Sequence, residues 1–228
     1  MATFSPQVKT LSSLEYFLFS DDIAIINQGF EASENRRNYL RFTALELQTR
    51  ANMLVDVWQE SGENYANTFI NSEEIGLNNS FNLLYNGLFN LIDTGKVTKV
   101  GKPAGLENSQ NTNPELVQAY FSEASLDILR ANIESVEAVY FAAEGLGISD
   151  YVFSIIRNNE LNTAVQTKIN EIYQAIEAIP VSLFEAITSN PDEVSELHQK
   201  LEELGILFSV DVRSVLSIII TSTDNDGD

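Results

Sequence analysis

The segment LNTAVQTKINEIYQAIEAI, residues 161–179, carries the clearest structural signal in this chain. Its apolar side chains recur every three or four positions, at Leu161, Val165, Ile169, Ile172, Ile176 and Ile179. This spacing places them on one face of an α-helix. Pro180 follows, and because proline lacks an amide hydrogen and clashes with the preceding turn, we expect the helix to end within a residue or two of it.

The same periodicity runs through the rest of the chain, without the alternation that is typical of strands. Further apolar stripes lie in residues 11–18, 40–58, 81–92, 126–140, 194–204 and 212–219. Their spacing predicts that Leu129 and Ile133 are core residues, and that Trp58 and the phenylalanines are too. Helices of about 20 residues with short loops predict an all-α fold, an antiparallel up-and-down helical bundle. We interpret residues 1–228 as one such domain.

Glycine and proline mark the expected helix ends. Residues 101–114, rich in Gly, Pro, Asn and Ser, predict the one long loop. Gly145 and Gly147 predict the end of the helix over residues 126–140. Pro191 predicts a turn from which the next helix begins. Gly205 predicts a separation between the last two helices.

The chain is strongly acidic. Its 228 residues include 33 acidic and 13 basic side chains, for a formal net charge of -20. Such a surface repels phosphates and anionic lipid headgroups, which argues against nucleic acid and membrane partners and favours cations or a basic protein. No segment has the roughly 20 apolar residues that a helix needs to cross a bilayer. Residues 1–10 also lack the pattern of a signal peptide.

The supply of metal ligands is narrow. Residues 1–228 contain no cysteine, so they supply neither a thiolate ligand nor a lipobox cysteine, and their one histidine is His198. Metal binding must therefore rest on carboxylate and carbonyl oxygens, which favour hard cations. His198 lies on the polar side of its stripe, and we interpret it as an ordinary surface histidine. Residues 224–228, DNDGD, are similar to the start of a calcium loop but lack its glutamate at position twelve, so we interpret them as an acidic tail.

Four segments together resemble one protein family. Residues 11–19, LSSLEYFLF, resemble the signature of the imelysin-like proteins, in which Gly-x-His-x-x-Glu leads into an aromatic and apolar tail. Residues 101–105, GKPAG, are similar to the loop that follows the family's central helices. Residues 122–126 resemble the opening of its next helix, and residues 224–228 resemble its acidic ending. The segments occur in the family's order, and the chain is similar to the family's C-terminal part.

The resemblance implies a site at the signature. It places Thr10 at the glycine position, Ser12 at the histidine position and Glu15 at the glutamate position. In a helix, side chains three residues apart point the same way and can share a cation. The resemblance therefore implies Glu15 as a ligand for a divalent or iron cation. A structural role stays equally open, in which the Glu15 carboxylate is hydrogen-bonded at the end of the bundle. Serine is a far weaker ligand than histidine, so Ser12 argues against the family's suggested metallopeptidase activity.

The resemblance also implies a cellular role. It implies two helical bundles with the signature at their junction, of which this chain supplies mainly the second. It further implies a periplasmic or outer-membrane lipoprotein of the bacterial cell envelope. The favoured function is non-enzymatic, with binding of a metal ion or haem in iron uptake. Two alternatives stay open: a metallopeptidase completed by an N-terminal domain, and an acidic helical module that pairs with a basic protein. No other catalytic motif is present, and no catalytic residue is assigned.

Overall fold

The computed structural model describes residues 10–107 and 111–221, and this part of the chain contains helices and no strand. The predicted all-α fold is therefore confirmed. The chain divides into two compact units, residues 1–72 and residues 73–228. The interpretation of residues 1–228 as one domain stays a prediction.

The first unit contains four helices in its described part. Their bounds are α1 Leu11–Phe19, α2 Ile23–Ala32, α3 Glu34–Trp58 and α4 Tyr65–Ile70. Helices α1, α2 and α3 contact one another, and α4 contacts α3. Side chains at the helix starts accept backbone hydrogen bonds, as when Asp22 accepts one from Ala24 and Ser33 accepts one from Arg36. Between α1 and α3, the Phe17 and Tyr39 rings lie 4.9 Å apart.

Little of this unit is buried. In residues 10–72, only Ile26 and Thr43 are buried. The prediction that Trp58 is a core residue is wrong, because 46% of it is exposed, and Leu54 one turn earlier is 64% exposed. The physical reason is helix length. The 25 residues of α3 span about 37 Å, whereas α1 and α2 have 9 and 10 residues and span about 15 Å each.

The second unit holds the remaining elements. Its α-helices are α5 Ser80–Thr94, α6 Lys102–Ala104, α7 Ser125–Phe141, α8 Ile148–Ile156, α9 Glu160–Ala178, α10 Leu183–Ser189, α11 Pro191–Ile206 and α12 Arg213–Leu216. Short 3₁₀ turns lie at Gly76–Asn78 and Pro114–Leu116. Two π-helical segments, Gly95–Gly101 and Leu207–Val212, continue α5 and α11.

Four helices enclose the core of this unit. Helix α5 contacts α7, α7 contacts α9, α9 contacts α11, and α11 contacts α5 again. The expected core positions Leu129 and Ile133 are fully buried, which confirms that prediction. Phe208 is also buried, whereas Phe121 and Phe153 are exposed, so the expectation that the phenylalanines form the core holds only in part.

The helix ends follow the sequence signals at Pro180 and Pro191 and depart from them at Gly205. Helix α9 ends at Ala178, two residues before Pro180, and α11 begins at Pro191, as predicted. Gly205, however, lies inside α11 and does not separate helices. The buried side chains Leu204 and Phe208 lie either side of it, and this continuous apolar face outweighs the weak helix propensity of one glycine.

The expected loop over residues 101–114 begins later than predicted. Helical structure continues through Gly101 and Lys102–Ala104, and the chain turns at Gly105. Gly105 has φ +70°, a left-handed conformation that glycine adopts without strain. Packing of the preceding helical turn against α11 keeps the first residues of the loop helical.

Candidate functional site

The signature residues lie at the start of the first unit. Thr10 precedes α1, and its hydroxyl accepts a hydrogen bond of 3.3 Å from the Ser13 backbone N–H. Ser12 is exposed, and Glu15 is half-buried one turn further along α1. The helical geometry expected for Ser12 and Glu15 is therefore present. The assignment of Glu15 as a metal ligand stays a prediction.

The carboxylates and the imidazole do not gather into a metal centre in the described part of the chain. Within residues 10–107 and 111–221, no three His, Asp or Glu side chains come together as a group that could hold a metal ion. The acidic residues 224–228 lie outside the described residues. No helix in the described part of the chain combines the length and apolar character needed to cross a membrane.

A histidine–glutamate pair does form, in the second unit. His198 Nε2 lies 2.8 Å from Glu107 Oε1, and only 13% and 17% of the two side chains are exposed. The interpretation of His198 as an ordinary surface histidine is therefore wrong. Lys96 Nζ lies 3.2 Å from the same Glu107 oxygen and 3.9 Å from Glu202 Oε1. We call Lys96, Glu107, His198 and Glu202 the Glu107 cluster.

The glycine loop builds this cluster. A Cβ atom on Gly101 would lie 2.7 Å from Glu107 Oε1, so the Glu107 side chain rests directly on the Gly101 backbone. The turn at Gly105 reverses the chain, and the Leu106 N–H donates a 2.9 Å hydrogen bond to the Gly101 carbonyl. Glycine is thus required at position 101, because the Glu107 side chain lies so close to the backbone there. The loop places Glu107 within hydrogen-bond distance of His198 on α11.

The electrostatics of the cluster favour an ionised carboxylate. Burial raises the pKa of Glu107, but hydrogen bonds from His198 and Lys96 outweigh it and hold the pKa below its usual range. Because an ionised carboxylate only accepts hydrogen bonds, Nε2 of His198 carries the hydrogen and donates it. Glu107 therefore fixes the tautomer and the orientation of the His198 ring.

A second charged network joins α9 to α11. Lys168 Nζ lies 2.8 Å from Glu171 and 2.7 Å from Glu203, and Lys200 lies 3.2 Å from Glu171. Hydrogen bonds from Lys168 lower the pKa of both glutamates, and those to Glu171 and Glu203 raise the pKa of Lys168. All four groups stay charged near neutral pH, so the network cross-links the helices and offers no acid or base for catalysis.

Comparison with known proteins gives one match. The model of the imelysin family, Peptidase_M75, matches residues 2–207. The match covers most of the chain, and the chain belongs to the imelysin family. The comparison with curated proteins found no match, and neither did the comparison with solved structures.

Sequence reasoning found only part of these arrangements. It identified His198 as the one histidine but missed its partner Glu107 and the two residues that complete the cluster, Lys96 and Glu202. Glu107 and His198 are 91 residues apart, and no local pattern links them. The available signal was the GKPAG segment at 101–105, because two glycines around a helical turn indicate a close backbone approach there.

Proposed function

We propose that this chain is a non-enzymatic imelysin-family protein of the bacterial cell envelope that serves iron or haem uptake through binding. The observation that carries the proposal is the chemistry at the signature. The resemblance places Ser12 where the family has its histidine, and the chain's one histidine is hydrogen-bonded to Glu107 in the second unit. Membership of the family supports a location outside the cytoplasm.

A metallopeptidase site is more demanding than a binding site. It needs three protein ligands, an open position for water, and an acid or base nearby. On α1, Ser12 and Glu15 supply one carboxylate and one weak hydroxyl ligand. These groups suit weak binding of a hard cation through oxygen atoms better than tight binding of a catalytic zinc ion.

The proposal is tested with the full chain and a matched pair of histidine variants. Ser12→His restores a histidine three residues before Glu15, on the same helix face. Ser13→His places the same side chain two residues before Glu15, on a different face. We expect calorimetric titration with Zn²⁺ to show weak binding by the unmodified chain, tighter binding by Ser12→His, and no gain for Ser13→His.

Peptide hydrolysis separates the two main functions. We expect no cleavage of a denatured protein substrate by the unmodified chain, and binding of haem or Fe²⁺ in absorbance titrations. Cleavage that a chelator stops and that Glu15→Ala abolishes would establish a metallopeptidase and refute the proposal. Glu31→Ala, at an exposed position on α2, controls for loss of one negative charge in the same unit.

A further inference from the structure

Two buried asparagines on α5 hold a segment near the end of the described chain. Asn82 and Asn86 lie one helical turn apart, and 5% and 6% of them are exposed. The segment, residues 218–221, follows α12 and is not helical. We call it the C-terminal strap.

The Asn82 side-chain amide makes two hydrogen bonds to the backbone of one strap residue, Ile219. Its Oδ1 accepts a 2.8 Å hydrogen bond from the Ile219 N–H, and its Nδ2 donates a 3.1 Å bond to the Ile219 carbonyl. Asn86 Nδ2 donates to the same carbonyl at 3.0 Å, and Asn86 Oδ1 accepts from the Thr221 N–H at 2.9 Å. Side chains of the strap add apolar contact, because Ile218 is buried and Ile220 packs on the core.

The site is built for this kind of segment. If the strap left, Asn82 and Asn86 would lose four hydrogen bonds to its backbone, and the apolar contacts of Ile218 and Ile220 would be lost to water. The hydrogen bonds to Ile219 involve only its backbone. An identical strap from another chain would restore every bond between α5 and the strap.

The hinge before the strap is strained. Ser217 has φ +54°, a left-handed conformation that is unfavourable for residues other than glycine. The tight turn is held locally, since the Ile218 N–H donates to the Arg213 carbonyl at 3.1 Å. Short hinges under strain favour the exchange of a terminal segment between copies, because an extended hinge removes the strain.

We propose that the Asn82–Asn86 pair is a docking site for the C-terminal strap of a second copy of this chain, which gives a dimer by exchange of straps. Within one copy the short tether gives the strap an effective concentration of roughly millimolar. The exchanged dimer therefore forms as the protein concentration approaches that range. This inference does not depend on metal or haem binding.

Cysteine cross-linking tests the exchange directly, because the chain has no cysteine of its own. The Thr221 and Asn86 side chains touch, with Oγ1 and Oδ1 3.3 Å apart. A double variant, Asn86→Cys with Thr221→Cys, should form a disulfide within one chain. That disulfide would show that the two positions are close enough for the bond. A mixture of the two single variants should form a disulfide-linked dimer between the two variants above the level of random collision if the strap of one copy reaches α5 of another.

A matched control mixture measures how much disulfide-linked dimer random collision produces. Asn86→Cys is mixed with Ser135→Cys, at an exposed position on α7, under the same conditions. We expect several-fold more linked dimer with Thr221→Cys than with Ser135→Cys. If the double variant forms its internal disulfide, which shows that α5 with Asn86→Cys still holds the strap, an equal yield from both mixtures overturns the proposal.

Two substitutions of Ser217 in the hinge give an independent test, because they should change the dimer fraction in opposite directions. Ser217→Gly removes the left-handed strain and should lower the dimer fraction in light scattering by about tenfold. Ser217→Val, a β-branched residue at the same exposed position, adds strain and should raise it. A Ser217→Val chain that folds and stays monomeric at high concentration overturns the proposal. If this variant does not fold, the cross-linking of chains with the native hinge decides.

Discussion

Helices α3 and α9 both carry an apolar stripe, more pronounced on α9, but they differ in burial. On α9, the residues Val165, Ile169 and Ile172 are fully buried between α7 and α11. On α3, the stripe that runs from Leu40 to Trp58 leaves Leu54 and Trp58 largely exposed. All members of the hydrophobic core cluster lie between Tyr85 and Ile218, in the second unit. A helical stripe therefore predicts a helix, whereas burial also requires neighbouring helices of matching length.

Truncation of one leucine in each unit tests this difference most strongly. Leu129→Ala should lower the free energy of unfolding by about 2–5 kcal/mol, because it leaves a cavity among fully buried side chains. Leu54→Ala should change it by less than about 0.5 kcal/mol, because the leucine is exposed. Urea melts followed by circular dichroism measure both. Equal losses would show that the stripe of α3 is buried in solution.

Loss of one buried hydroxyl should have a smaller effect. Tyr140 donates a 2.9 Å hydrogen bond to Asn162 Oδ1, and Asn162 in turn donates to the Ser149 carbonyl. Tyr140→Phe leaves the buried Asn162 oxygen without this donor and should cost about 1–3 kcal/mol. Tyr151→Phe, at an exposed position on α8, is the control and should be neutral. A neutral Tyr140→Phe would mean that water replaces the lost donor.

The Glu107 cluster predicts a pH-dependent contribution to stability. Because the pKa of Glu107 is lower in the folded than in the unfolded chain, its ionised form stabilises the fold. The contribution should be complete above the unfolded pKa of about 4.3 and decline as the pH falls through the lower folded pKa.

Glu107→Gln measures this contribution. The difference in free energy of unfolding between the unmodified chain and Glu107→Gln should shrink in urea melts below about pH 4.3. Glu144→Gln removes an exposed carboxylate from the same unit and should show no such trend. A difference that is constant from about pH 3 to about pH 6, a range that includes the usual glutamate pKa, would show that Glu107 is not held ionised.

The network around Lys168 should give the smallest effect. Its side chains are partly exposed, and such ion pairs contribute about 0–1 kcal/mol. Lys168→Met should lower the free energy of unfolding by less than about 1 kcal/mol, and the loss should shrink in 1 M salt, where the screening length is about 3 Å. A large loss of stability that does not change with salt would show that this network contributes to stability as a buried ion pair does, like the Glu107 cluster.

The candidate site could be predicted from the sequence only at the level of residue types. The absence of cysteine, the single histidine and the serine at position 12 restrict the metal ligands to oxygen atoms and one imidazole. The pairing of Glu107 with His198 could not be foreseen, because it depends on the turn at Gly105 and on the contact between the π-helical segment and α11. These contacts join residues that are distant in the sequence.

The sequence by itself determined that the chain is helical, where α9 ends and where α11 begins, because periodicity and proline act over a few residues. Only the tertiary structure decided which apolar stripes are buried and that α11 continues through Gly205. It also decided that α5 holds the strap through Asn82 and Asn86. The reason is that burial and side-chain hydrogen bonds depend on which helices become neighbours, and distant parts of the chain settle that together.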